Sequence, residues 1–210
     1  MTRFGSLLIL VVLMVACQNQ THAVLSPAPS PTPHTAPTMA ILQSADVPTG
    51  LNVCLGSGPM DVYLSVLQNA DPALASLLSD QWLAMLHSGA TAGAISVFTA
   101  NATACKSELG ATTNVKAMTS FVAEFADTSQ ADRAWEAGVF GFVPPPPGQL
   151  SPGLTVGAGT GLGPSSFTYD RPSVRLAYWR RSVYVAIVVV SNLDPNTFRA
   201  ATAAVDPRLN

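Results

Sequence analysis

The stretch Tyr184 to Ser191 (YVAIVVVS) constrains this chain most. Its run of β-branched and aromatic residues reads as a strand buried over most of its length. A partner lies just upstream. Val174, Leu176 and Tyr178 alternate with Arg175, Ala177 and Trp179, and Arg180-Arg181-Ser182 reads as the turn between the two. The result is an antiparallel hairpin, which needs further strands and a helix layer to bury it.

The rest of the chain supplies both. Ser166 to Asp170, Ala94 to Thr99 and Met118 to Phe125 read as strands, the last with Phe121, Ala123 and Phe125 on one face. Met60 to Gln68 suggests a short helix with Tyr63, Leu64 and Leu67 together. Asp71-Pro72 is a helix start, with Asp as cap and Pro in the first turn. Leu74, Leu77, Leu78 and Met85 then recur at helical spacing with Trp82 and Leu86 alongside, up to His87, and Gly89 stops the helix. Asp127 caps a second such helix ending at Ala137. Asp194-Pro195 opens a third, with Phe198, Thr202, Val205 and Leu209 toward the sheet. The predicted fold is α+β, an antiparallel sheet with helices packed on one face, in a single domain over residues 41–210.

The N-terminus reads as an address. Arg3 precedes the apolar run LLILVVLMVA from Leu7 to Ala16, which is shorter than the ~20 residues a membrane span needs. Met14-Val15-Ala16-Cys17 looks like a bacterial lipobox, although Met14 stands where Leu is usual. Residues 1–16 are then a signal peptide and Cys17 the acylated residue. Two acyl chains give stable attachment, so a palmitate-type anchor would hold the domain on the extracytoplasmic face of the cell membrane. Residues 17–40 are rich in Pro, Ser, Thr and Ala and read as a disordered spacer. His22 and His34 within it read as solvated bystanders.

Three cysteines are present. With Cys17 acylated, Cys54 and Cys105 remain. Export favours a disulfide between them, closing a loop of about 50 residues worth about 4 kcal/mol; the alternative is two separately buried thiols. Two Cys without nearby His make no zinc site, so no metal and no cofactor are expected. Charged residues are only 10% of the chain and net charge is −2, which excludes the basic stripe of a nucleic-acid binder.

No catalytic constellation emerges. His87 stands alone in the folded part, no G-x-S-x-G elbow occurs, and Asp61, Asp80, Glu108, Glu124, Glu136 and Asp170 are scattered. A carboxylate pair assembled in space is the remaining route to a hydrolase. Val156 to Gly163 (VGAGTGLG) has Leu162 where a third glycine of G-x-G-x-x-G belongs and reads as a flexible loop. Pro144 to Pro147 is a stiff connector or a partner-docking element. Asn101-Ala102-Thr103 is a chance sequon. Arg171, Arg175, Arg180 and Arg181 crowd residues 171–181, with Arg175 sharing a face with Trp179. They form either a solvated hairpin edge or an anion-binding and stacking face.

Ala45-Asp46-Val47-Pro48-Thr49-Gly50, the strand and A-rich helix from Phe121 to Trp135, and Trp179-Arg180-Arg181-Ser182-Val183 together resemble a group of extracytoplasmic domains of Gram-positive type. These include LpqN-type lipoproteins and the external sensor domains of membrane serine/threonine kinases. Ser182 replaces a glycine of that pattern, and Gly163-Pro164-Ser165 departs from its acidic segment. The resemblance implies a lipid-anchored, non-enzymatic domain that senses or binds a lipid, glycan, peptide or protein of the cell envelope. A structural or assembly lipoprotein, with a docking patch near Phe140 to Pro147, is the alternative.

Overall fold

The computed structural model describes residues 34–101, 105, 115–149 and 151–210. Cys17, Glu108 and most of the expected spacer lie outside them. The core is one antiparallel sheet of eight strands: β1 (Asn52–Val53), β2 (Gly58–Pro59), β3 (Ala90–Thr99), β4 (Ala117–Phe125), β5 (Leu154–Val156), β6 (Ser166–Asp170), β7 (Val174–Arg181) and β8 (Tyr184–Ser191). The order is β1-β3-β4-β8-β7-β6-β5, with β2 also pairing β3. Strand β8 lies between β4 and β7, opposite Val122 through Ala186 and Tyr178 through Ile187.

Every residue of β8 is buried. A strand with no polar face needs both of its faces covered. Val185, Ile187 and Val189 pack in one cluster with α2 (Met60–Ala70), α3 (Pro72–His87) and α4 (Thr128–Ala137). Tyr184, Ala186, Val188 and Val190 pack on the other side with the short α1 (Pro37–Ala40), α5 (Pro195–Val205) and Leu209. The α+β class and the antiparallel sheet are as expected. The expected helix layer occupies one face, and a second, smaller layer occupies the other.

The helix starts obey their local signals. Asp71 Oδ1 accepts from the Leu74 N–H at 3.1 Å, Asp127 Oδ1 from Gln130 at 2.8 Å, and Asp194 Oδ1 from Asn196 and Thr197 at 2.8 and 3.1 Å. On α3 the buried stripe is Leu74, Leu78, Trp82 and Met85, whereas Leu77 and Leu86, expected with it, face outward. Trp82 lies against Gly93 so closely that a Cβ there would stand 2.5 Å from its ring.

Three expectations change. The folded part begins before Ile41: Pro37 and Ala40 are buried, the Thr35 N–H donates to Asn210 O, and Tyr184 Oη donates to Thr35 O at 2.8 Å. Composition missed this because backbone groups make the ties. His34 is likewise engaged, its Nδ1 3.1 Å from Glu124 Oε1. The glycine-rich stretch is a hydrogen-bonded turn: Thr160 Oγ1 donates to Gly157 O at 2.9 Å, and Ser166 Oγ to Gly163 O at 2.5 Å. The β7–β8 turn falls at Ser182, whose φ of 52° is the left-handed conformation that a glycine would take without strain.

Candidate binding cavity

The arginines of the hairpin do not form an open face. Strand alternation places Arg175, Trp179 and Arg181 on one side of β7 and Arg180 on the other. Arg175 and Trp179 share a face as expected, but α5 covers it. Trp179 is fully buried and its Nε1 donates to Asp206 Oδ1 at 3.0 Å. Arg175, 7% exposed, donates through Nη1 to Leu193 O at 2.7 Å and pairs with Asp170 at 2.8 Å. Arg181 grips Asp206 with two bonds of 2.7 Å. Arg180 pairs with Asp132 of α4 at 2.5 Å. Arg171 bonds the Tyr169 hydroxyl and lies 4.9 Å from its ring centroid. The proposed binding face is therefore corrected. Each cation is held by its own partner, and the side chains that looked stackable are core.

Most described carboxylates are likewise committed. Asp46 forms two 2.8 Å bonds with Arg208, which hold its carboxyl below the usual carboxylate range. Asp71, Asp127 and Asp194 are helix caps. Among the described residues no three of His, Cys, Asp and Glu converge as a metal site would require. The Phe140 to Pro147 segment turns partly inward, with Phe140 edge-on to Phe121 at 4.7 Å; Val143 stays 57% exposed.

An apolar-walled cavity lies toward the β1–β3 edge of the sheet. Cys54 and Cys105 are joined in a disulfide, as the cysteine count suggested. The Cys54 N–H donates to Val97 O at 2.8 Å, and Ser57 bridges Val97 through N–H···Oγ at 3.0 Å. These bonds pin the turn between β1 and β2 to β3. Gly56, at φ +87°, lets that turn pass Val66, where a Cβ would approach to 2.9 Å. Leu55 is left at the tip, 83% exposed.

Between this turn, the disulfide and α2 lies a cavity of about 390 Å³. Its apolar wall is Val53, Leu55, Val66, Leu67 and the disulfide, and among the described residues no charged one lines it. Asn52, Tyr63 and Thr99 supply the polar groups. Thr99 Oγ1 already donates to Asn101 O at 2.8 Å. The Tyr63 hydroxyl is buried with no hydrogen-bond partner among the described residues, and burial pushes its pKa up to about 12. A neighbouring trough shares Leu55, Val66 and Ala70, so the depression continues along α2.

The sequence reading missed this cavity. Its walls come from residues 52–55, 63–70, 99 and 105, and only the lone Leu55 between Cys54 and Gly56 hinted at it. Comparison of the chain with protein-family models, with curated proteins and with solved structures finds no match in any of the three.

Proposed function

We propose that this protein is an exported lipoprotein, acylated at Cys17 and held on the extracytoplasmic face of the cell membrane. Its α+β domain is a non-catalytic binding or sensor module for a cell-envelope component. The observation that carries the binding part is the cavity of about 390 Å³ beside the Cys54–Cys105 disulfide, whose described lining is uncharged. Its size falls within the roughly 300–1,000 Å³ of small-molecule sites. The disulfide supports export, since such bonds persist in oxidising compartments. The commitment of most described carboxylates to caps and ion pairs supports the non-catalytic reading. Among the described residues no helix is long and apolar enough to cross a membrane, so attachment in this reading rests on the lipid.

Two measurements test it. Intact mass of the membrane-extracted protein should show cleavage before Cys17 with added acyl mass; an unacylated soluble product overturns the anchor. Native mass spectrometry of the same extract should show a co-purifying small molecule, lost when Val66→Trp fills the cavity. A second reading, docking onto another envelope protein, is favoured by α3, whose outer side exposes Leu77, Leu83 and Leu86. It predicts a reproducible protein partner that Leu83→Lys releases and Val66→Trp does not.

A further inference from the structure

We propose that the cavity beside the Cys54–Cys105 disulfide holds a single alkyl chain bearing an uncharged, oxygen-containing head, with the chain running out along Val66 and Ala70. This rests on the binding reading above and narrows its ligand.

The wall chemistry excludes the alternatives in turn. Among the described residues the wall offers no charged side chain, so a phosphate, carboxylate or ammonium gains no counter-charge from them, and burying an unpaired charge is severely unfavourable. A glycan needs many hydrogen bonds, and the described residues of the wall supply three polar side chains, one of which, Thr99, already donates to Asn101. A peptide strand brings an N–H and a C=O at every residue, each costly if left unpaired. An alkyl chain asks for none of these. It needs a channel of aliphatic contacts, which Val53, Leu67, Val66 and the disulfide provide.

The shape agrees. The cavity and the trough beyond it share Leu55, Val66 and Ala70, so the depression is elongated along the helix. Leu55, 83% exposed and itself part of both linings, covers an entering chain at the point where it would meet water. Tyr63 supplies the second signal. The residue lines the cavity, and its buried hydroxyl, without a partner among the described residues, is in a costly state that an ester or hydroxyl oxygen reaching it relieves.

The test is displacement of fluorescent parinaryl alcohol from the full-length protein by straight-chain monoglycerides below their micelle concentrations. Each added methylene should tighten binding about three- to fourfold until the cavity is full, after which affinity levels off. Leu55→Asp should weaken every member of the series about tenfold while leaving the thermal midpoint unchanged, because the position is exposed and carries no fold contact of consequence. Val66→Trp should abolish binding. If Val66→Trp misfolds, Leu55→Asp still decides. Tyr63→Phe should reduce the preference for a monoglyceride over an alkane of equal length. Monoglyceride presented in phosphatidylcholine vesicles separates two sources: withdrawal from the vesicle assigns a membrane lipid, and capture of the free monomer alone assigns a diffusible amphiphile. Either outcome supports an alkyl-chain site. Affinity independent of chain length, or indifference to Leu55→Asp, overturns it. If a co-purified glycan or peptide instead proves sensitive to Val66→Trp, the alkyl assignment falls and the binding module stands. If nothing occupies the cavity, both fall.

Discussion

Two corners of this domain treat polarity in opposite ways. Where β7 and β8 meet α5 and α4, charge is dense and closed: Arg175, Arg180 and Arg181 each meet a carboxylate, and the Trp179 indole N–H is satisfied by Asp206. Where α2 meets β1 and β3, the described lining carries no charge, a tyrosine hydroxyl lacks a partner among the described residues, and space remains. In a chain with only 10% charged residues, the arginines that look like a ligand-binding patch act as architecture. The corner with nothing conspicuous in it holds an apolar-walled cavity. The ion pairs of the hairpin fix geometry through directed, charge-assisted hydrogen bonds; an apolar wall does not specify its neighbours in this way and can take a guest.

The comparison breaks first at the disulfide. The Cys54→Ser, Cys105→Ser double variant should lose about 4 kcal/mol by urea unfolding, from freeing a loop of 51 residues' separation. Alkyl-chain binding should disappear with it, because one cavity wall is the bridge itself. A loss below about 1 kcal/mol would mean that the bridge holds neither the fold nor the cavity.

Arg175→Ala probes the closed corner. It should cost about 2 kcal/mol, mainly from the stranded Leu193 carbonyl and the lost aliphatic stem. Asp170 adds little, because its side chain is 54% exposed and rehydrates. Binding at the α2 corner should not change. If it does, the two corners are coupled and not independent.

What the sequence revealed follows how local each signal is. Asp71, Asp127 and Asp194 cap helices through bonds spanning two or three residues, so the motif carries its own evidence. The β7–β8 hairpin is read from the alternation in β7 and the β-branched run of β8, and the cysteine pairing from the odd count. The Arg175–Trp179 face was misread because alternation says which residues share a face but not whether a later helix, α5, will cover it. Residues 34–40 were read as spacer because composition registers neither the backbone bonds of Thr35 to Tyr184 and Asn210 nor the distant partner of His34, Glu124. The cavity was invisible for a third reason: Leu55, Tyr63, Thr99 and Cys105 become neighbours only after the sheet has formed.

A smaller effect sits on the closed side, at Asp46. Asp46→Asn should cost about 1 kcal/mol near neutral pH, since the pair with Arg208 is bidentate but borders solvent. The Asp46 carboxyl titrates below its ordinary value of 3.8 in the folded protein. Its stabilisation is therefore complete above that value and is lost as pH falls through the lower, folded one. The difference between wild type and variant in urea midpoint should shrink to nothing at the acid end. A constant offset across pH would assign the loss to packing and not to charge.

The same substitution made in each corner gives the smallest and sharpest contrast. Tyr184 on the closed side donates to Thr35 O at 2.8 Å, so Tyr184→Phe should cost about 0.5–1 kcal/mol. Tyr63 is also buried but donates to nothing. Tyr63→Phe removes an unsatisfied hydroxyl and should leave stability unchanged or raise it by up to about 0.5 kcal/mol. Both hydroxyls have pKa values pushed up to about 12, first by burial, and for Tyr184 also by the Glu124 charge. A raised folded pKa means that the neutral tyrosine's contribution is intact below the ordinary value of 10.0 and is lost as pH rises through about 12. Toward alkaline pH the advantage of Tyr63→Phe should therefore widen and the deficit of Tyr184→Phe should narrow. Urea midpoints near neutrality and at about pH 11 read all four values. If Tyr63→Phe is as costly as Tyr184→Phe, the Tyr63 hydroxyl has a partner after all, and the α2 corner is as closed as the hairpin.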